Sequence, residues 1–296
     1  MKTLRIGTRG SRLALYQAHL TEQKLRELGY EVEIIVIKTQ GDRVQDLSFD
    51  KLEGKGFFTK EIEDELLTGT IDMAVHSMKD LPTTSPDGLC ITAIIDRADP
   101  ADTLLIHPSE EDATQDFGLR QGAKVGTSSV RRKSQMQQLR PDLEVADLRG
   151  NVPTRVQKLR DGAYSAIILA HAGLNRLELD LSDLIVRKIH TSEMVPAPAQ
   201  GAIAVQTRID DIELRRLLKE LHQPDVSQLT NIERGVLRAM DGGCQLPLGV
   251  HCRKDENGHF HVHVAYAHTM DKPLIRKKYS VSTSFGLVDK IINDIK

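Results

Sequence analysis

Arg5-Ile6-Gly7-Thr8 returns in the middle of the chain as Lys124-Val125-Gly126-Thr127, and this pairing decides the fold. Each copy ends an apolar strand, passes through Gly-Thr into small or basic residues, and opens a helix. After Gly7 the pattern predicts a helix over 11–28 with Leu13, Tyr16, Leu20 and Leu25 along one side. Gly29 ends it, and the β-branched run 32–38 reads as a buried strand. Thr59 is placed to cap an acidic helix at 60–68, Gly69 ends that helix, and an apolar strand runs from Ile71 to His76. After Gly126 the same plan follows: a helix at 153–160, Gly162, and the strand 166–170 with His171 beyond it. A strand–helix plan repeated at this length predicts two α/β domains of like architecture.

Two segments connect the copies. Asp96 to Asp102 contains Pro100, and Glu193 to Gly201 contains Pro196 and Pro198. Paired crossings imply that the chain leaves the first domain and later returns, which makes Gly201 to Thr207 a returning strand. From about residue 220 the pattern changes to a helix over Val226 to Met240, a Gly-rich loop and strands of alternating residues, a smaller α+β domain. Residues 41–58 are polar and Gly-rich and read as a mobile loop.

The 296 residues are 40% hydrophobic and 28% charged, enough for two or three globular domains. The net charge of -2 offers no global basic field for nucleic acid, so any bound anion must be met by local Arg and Lys clusters. No apolar run approaches the roughly 20 residues that span a bilayer, and the N-terminus has no signal core. Cys90, Cys244 and Cys252 are odd in number and lack CxxC spacing, which argues against a disulfide framework or a cysteine zinc site and favours a reducing cytoplasm.

Three segments have the chemistry of anion sites: Gly7-Thr8-Arg9-Gly10-Ser11, Gly126 through Arg132, and Leu148-Arg149-Gly150-Asn151-Val152-Pro153-Thr154-Arg155. Each precedes a helix, whose first N–H groups are unpaired and carry partial positive charge. Pro153 suits a first helical position. Any one segment alone reads equally as ordinary capping with solvated arginines; none is a P-loop. A strand ending in His76-Ser77-Met78-Lys79-Asp80 puts Asp80 where open α/β sheets bind ligands, with Lys79 beside it favouring the carboxylate. The plain alternative is a surface ion pair at a turn. Gly242-Gly243-Cys244 makes a tight, exposed loop that leaves a thiol accessible, whereas Cys90 and Cys252 sit in strand-like stretches and read as packing. His259, His261 and His263 alternate along one strand face but lack a fourth ligand, so no metal site is expected.

In order and spacing, these segments closely resemble the hydroxymethylbilane synthase family over nearly the whole chain. The resemblance is carried by Gly54-Lys55-Gly56-Phe57-Phe58, Ala74 through Asp80, Gly126-Thr127-Ser128-Ser129, Leu148-Arg149-Gly150-Asn151, Ala166 through Ala170, Gln200-Gly201-Ala202 and Gly242-Gly243-Cys244-Gln245. It implies two doubly wound α/β domains resembling type II periplasmic binding proteins and a small α+β C-terminal domain. The expected boundaries are 1–97 with 198–218, then 98–197, then 219–296. It implies a dipyrromethane primer held by a thioether at Cys244, extended by four porphobilinogen units and released by water as hydroxymethylbilane. Asp80 resembles the catalytic aspartate. Arg9, Lys79, Arg131, Arg132, Arg149, Arg155 and Arg176, with Ser11, Thr127 and Ser129 as neutral donors, resemble the lining that meets the carboxylates of the growing chain. A cytoplasmic monomer is implied, with no metal, nucleic acid or membrane partner. Two positions depart from the family pattern: Pro198-Ala199 stands where Val-Gly is frequent, and Pro153 where Gly or a polar residue is usual.

Two other readings remain open at this point. A non-catalytic binding protein of the same two-domain fold accounts for the anion segments and the crossovers, but not for Gly242-Gly243-Cys244 or Lys79-Asp80. A regulatory or nucleic-acid-binding module fits the near-neutral charge poorly.

Overall fold

The computed structural model describes residues 3–40, 59–243, 245–269 and 272–296. The loop expected at 41–58 and Cys244 lie outside the described residues. The chain forms two compact units, Met1–Ala98 with Gly201–Gln228 and Asp99–Gln200 with Leu229–Lys296.

In the first unit the order is β1 (Leu4–Thr8), α1 (Arg12–Glu27), β2 (Val32–Val36), α2 (Lys60–Thr68), β3 (Met73–Ser77) and β4 (Leu89–Arg97). The returning strand β10 (Ala202–Arg208) inserts between β3 and β4, giving the order β2-β1-β3-β10-β4. β1 runs parallel to β2 and β3, whereas β10 is antiparallel to both its neighbours. The central strands are apolar on both faces, as a helix-covered sheet requires, and Ile6, Val75, Ile203 and Val205 pack with Ala18 and Leu25 of α1. Two expectations are corrected here. α1 turns Gln17, Ala18, Thr21 and Leu25 to the sheet and leaves Tyr16 40% exposed. Its two polar residues are tolerated inside because they are bonded: Gln17 Nε2 donates to Ser77 Oγ at 2.8 Å and Thr21 Oγ1 to the Gln17 carbonyl at 2.9 Å. β2 is an edge strand rather than a buried one, so Val36 is 52% exposed despite its β-branched neighbours. Thr59 occupies the N-cap of α2 as expected, but its hydroxyl donates to Glu63 instead of accepting from the helix backbone.

In the second unit β5 (Asp102–Ile106), β6 (Lys124–Gly126), α3 (Val130–Leu139), β7 (Glu144–Ala146), α4 (Val152–Arg160), β8 (Ala166–Ala170), α5 (His171–Leu177) and β9 (Ile185–Ile189) build a sheet of order β7-β6-β8-β5-β9. β6 is parallel to β7 and β8, and β5 is antiparallel to β8 and β9. Position by position, this is the order and sense of the first sheet. The antiparallel fourth strand is supplied each time by a crossing segment: β5 as the chain arrives, β10 as it returns. Pro153 is the second residue of α4, not the first, because Asn151 is the N-cap and accepts from Thr154 N.

The chain closes with α6 (Ile212–Leu218), α7 (Pro224–Ala239), the antiparallel meander β11 (Leu248–Lys254), β12 (Phe260–Tyr266) and β13 (Ile275–Val281), and α8 (Leu287–Ile295). Period-two alternation turns Val250, Cys252, Val262 and Val264 onto Ile232 and Val236 of α7 and Ile291 of α8. This small sheet grips the second crossover. Val250 N donates to the Pro196 carbonyl at 3.0 Å, and Arg276 donates to the carbonyls of Ser192 and Glu193 at 2.6 Å each. The fully buried Glu233 accepts from Ala199 N at 2.7 Å and Cys252 N at 2.8 Å. Among the described residues, no helix is long and apolar enough to cross a membrane.

Candidate functional site

Parallel strands deliver their following loops to one edge of a sheet. In the first unit β1 and β3 pair with Gly7 opposite Ala74, so Arg9 and the segment after Ser77 emerge at the same carboxyl edge. Ser11 caps α1 by accepting from Ala14 N at 3.3 Å, an ordinary cap that orients the loop before it. After β3 the chain makes a single 3-10 turn, Met78–Asp80, with Met78 buried as its anchor, Lys79 half-buried and Asp80 exposed. His76 is 6% exposed, and its pKa is pushed down to about 4. Burial is the main cause; a hydrogen bond with Gln206 opposes it and the charge of Arg9 assists it. A neutral imidazole therefore sits under an edge that presents one carboxylate and two cations.

The second unit repeats this edge with a stronger cationic content. Thr127 follows β6, is fully buried, donates its N–H to the Ala146 carbonyl at 2.9 Å and accepts from Ser129 N at 3.3 Å. Ser129 caps α3, which puts Arg131 and Arg132 in that helix's first turn. Arg149 stands half-buried beyond β7, and Arg155 of α4 folds back so that its Nε donates to the Gly150 carbonyl at 2.7 Å. Arg176, in the last turn of α5, is 8% exposed.

Sequence reasoning missed the group that organises these residues. Asp102 begins β5 at this edge, opposite Ala170, with no exposed surface. Its carboxylate accepts from Arg131 Nη1 at 2.7 Å and Nη2 at 3.3 Å, and from Arg132 Nη2 at 2.7 Å and Nε at 3.1 Å. Gln200 Nε2 adds a bond at 2.9 Å. Burial alone would raise the pKa of Asp102, but the two guanidinium groups outweigh it and hold it well below the usual carboxylate range. Arg131 and Arg132 are thus inside the protein, paired, rather than solvated on a helix tip. The signal was partial: an aspartate heads the apolar run Thr103-Leu104-Leu105-Ile106, and such a carboxylate, once buried, requires cations.

The cysteine loop is described on both sides of Cys244. Just after α7 the chain turns at Asp241, φ 51°, with Gly242 N bonded to the Leu237 carbonyl at 3.0 Å. A Cβ on Gly242 would stand 2.7 Å from Leu246 Cδ2 and 2.9 Å from Leu237 Cδ1, closer than side chains tolerate. Gly243 is exposed. The first glycine is therefore packed against two leucine side chains that would have to shift for any larger residue; the second lies in the open. Of the three alternating histidines, His261 bonds Asp255 at 2.8 Å and Ser280 at 2.9 Å.

Comparison with known proteins shows what the chain is similar to. Residues 4–216 match the family description "Porphobilinogen deaminase, dipyromethane cofactor binding domain". The porphobilinogen deaminase of Syntrophobacter fumaroxidans is 46% identical over 252 residues, covering 84% of this chain and 80% of that protein. That of Chloroherpeton thalassium is 46% identical over 94% of this chain and 87% of its own length, and that of Sulfurimonas denitrificans is 47% identical over 87% and 82%. Among solved structures, the periplasmic VFT2 domain of Bordetella pertussis BvgS superposes with a TM-score of 0.45 at 14% identity, over 80% of this chain and 92% of that one.

Proposed function

Because the chain belongs to the porphobilinogen deaminase family, we propose that it acts as a hydroxymethylbilane synthase, adding four porphobilinogen units to a dipyrromethane primer and releasing the linear tetrapyrrole with water. The observation that carries this reading is the match of residues 4–216 to the family's cofactor-binding domain. The donor set supports the fit of that group: a chain of pyrroles bears carboxylates on every ring, and the second unit's edge offers Arg149, Arg155 and the Arg131–Arg132 pair, with Thr127 and Ser129 beside them. Arg131 Nε is buried with no hydrogen-bond partner among the described residues. Arginine suits this task because its planar fork meets a carboxylate at two points.

Cys244 is the attachment atom in this reading, and the bound primer supplies the nucleophilic pyrrole carbon. The chain's own residues do the rest. Asp80, exposed on its short turn, sits against the substrate's aminomethyl group. When ammonia leaves, the carbon left behind is cationic, and the aspartate stabilises that charge and receives the pyrrole proton lost after the new C–C bond forms. Lys79, Arg9 and Ser11 hold the substrate's acetate and propionate, and Arg176 joins the lining. The neutral His76 beneath them adds no further charge. A tethered acceptor makes every addition intramolecular on the acceptor side.

In the same reading the chain is a cytoplasmic monomer of three domains, bounded at 1–97 with 198–218, 98–197 and 219–296. The sheet β11-β12-β13 with α7 and α8 supports treating the last as a domain, since it has its own apolar core. Intact mass followed by peptide mapping is the deciding experiment. An excess of two linked pyrrole units on the peptide containing Cys244 is expected. A bare chain that gains nothing on incubation with porphobilinogen would return the protein to the class of simple anion binders.

A further inference from the structure

We infer that Asp102 is a positioning residue of the anion-reading edge, fixing Arg131 and Arg132 as a rigid pair and tying them to the second crossover through Gln200. The inference rests on the proposed reading of those arginines as part of the lining. Two adjacent guanidinium groups repel one another and would splay into solvent if left alone. Here they converge on a single carboxylate with no exposed surface, through four hydrogen bonds of 2.7 to 3.3 Å. Each arginine is pinned a second time by backbone, Arg131 Nη1 to the Val195 carbonyl at 2.9 Å and Arg132 Nη1 to the Ile168 carbonyl at 3.1 Å. Two cations and one anion leave the cluster with a single positive charge held in fixed geometry.

The division of donors within the pair follows from this geometry. Arg132 spends Nε, Nη1 and Nη2 on Asp102, Ile168 and Gln200. Arg131 spends both Nη atoms and keeps its Nε–H, buried and without a partner among the described residues. Asp102 therefore takes four of the ten N–H donors of the pair and fixes the orientation of both guanidinium planes. Gln200 extends the control: its Nε2 donates to Asp102 Oδ1 at 2.9 Å and to the Pro100 carbonyl at 2.7 Å, so both crossovers meet at the carboxylate that orients the arginines.

The test compares Asp102→Asn, Asp102→Glu and Gln200→Met with the unaltered protein, at a temperature well below each melting point. One readout is the rate at which apo-protein gains the two-unit adduct with porphobilinogen, followed by intact mass; the other is the split between kcat and KM in steady state. Asp102→Asn, nearly the same shape without the charge, is expected to keep its circular dichroism, to load primer at least tenfold more slowly, and to raise KM tenfold with a smaller change in kcat. Asp102→Glu is expected to recover part of the loading rate, which a purely steric role would not allow. Gln200→Met is expected to raise KM about threefold while remaining folded. Wild-type loading and KM in a folded Asp102→Asn variant would overturn the inference. If that variant is insoluble, a Gln200→Met protein with unchanged KM would overturn it instead, leaving Asp102 as a folding residue. If the unaltered protein takes up no adduct, the fault lies with the proposed function and not with Asp102.

Discussion

His76 and Asp80 are four residues apart and have opposite tasks, and the difference is set by burial. In the proposed function Asp80, exposed on its turn, exchanges a proton with substrate. Asp80→Asn removes that exchange and the charge without changing size, so turnover should fall by about 10²–10⁴-fold while circular dichroism and melting stay as in the parent. Substantial residual turnover in that variant would take Asp80 out of the chemistry. His76 reports on stability instead. An exposed histidine titrates near 6.5, whereas burial holds this one down at about 4. The folded state therefore favours the neutral ring. Its contribution is complete above about pH 6.5, declines as the unfolded chain binds a proton that the folded chain refuses, and levels off below pH 4. The shift corresponds to about 3 kcal/mol across that window. Urea unfolding at pH 7, 5.5 and 4 should show this decline, and His76→Gln should flatten it; equal slopes in the two proteins would contradict the burial argument. Asp102 is depressed as well, so its contribution is lost only at lower pH, beneath the ordinary carboxylate range. The sequence showed that Asp80 ends an apolar strand. It did not show what Asp102 pairs with, because the partners of a buried carboxylate are set by which strands become neighbours, and β5 and β8 lie far apart along the chain.

At the scale of elements, the crossovers are the sharpest case. The paired prolines made both segments legible as connections, and the returning strand at 201–207 followed from them. Which sheet position each segment enters was not legible, since nothing local distinguishes an inner antiparallel strand from an edge. The same limit explains β2, whose Val32 and Ile34 suit either a core or an edge strand equally. The helix α1 was placed well but rotated by a residue or two, because its inward polar residues Gln17 and Thr21 find partners that periodicity cannot anticipate. Gly201 opens β10 at φ +88°, and a Cβ there would run into the Ala98 carbonyl. Ala98 N in turn donates to the Gly201 carbonyl at 3.2 Å, so the two crossings lie against each other within the first unit. Gly201→Ala must either strain the backbone or push these strands apart, at a cost of about 2 kcal/mol or more. Denaturant unfolding reads that loss directly. An unchanged midpoint would mean that the crossing yields without penalty, and that the glycine is there for another reason.

For the molecule as a whole, the net charge of -2 conceals the distribution that matters. Cations gather at the carboxyl edges of two similarly ordered sheets, which in the proposed function attract a substrate bearing carboxylates locally while the protein as a whole remains nearly neutral. Part of that attraction acts through solvent and is screened by salt over a Debye length of about 8–10 Å at moderate ionic strength. KM for porphobilinogen should therefore rise as salt is raised from low to half-molar, with kcat changing less; a flat KM would place the recognition in fully buried contacts. The repeated strand plan made this two-sheet architecture readable, and the Gly-Gly-Cys loop stood out by composition alone. The consequence of a tether belongs to the whole chain. If the growing product stays on Cys244, its length is a property of the protein molecule, and substrate supplied short of full turnover must leave a set of discrete protein masses. Each step should equal one pyrrole unit above the primer, with up to four added before release, all carried on the peptide containing Cys244. Cys244→Ser removes the sulfur that forms the thioether, so the variant should fold, remain at its bare mass and show no such steps. Short pyrrole chains free in solution beside an unmodified wild-type protein would refute the tether, because intermediates that leave the protein require no attachment atom at all.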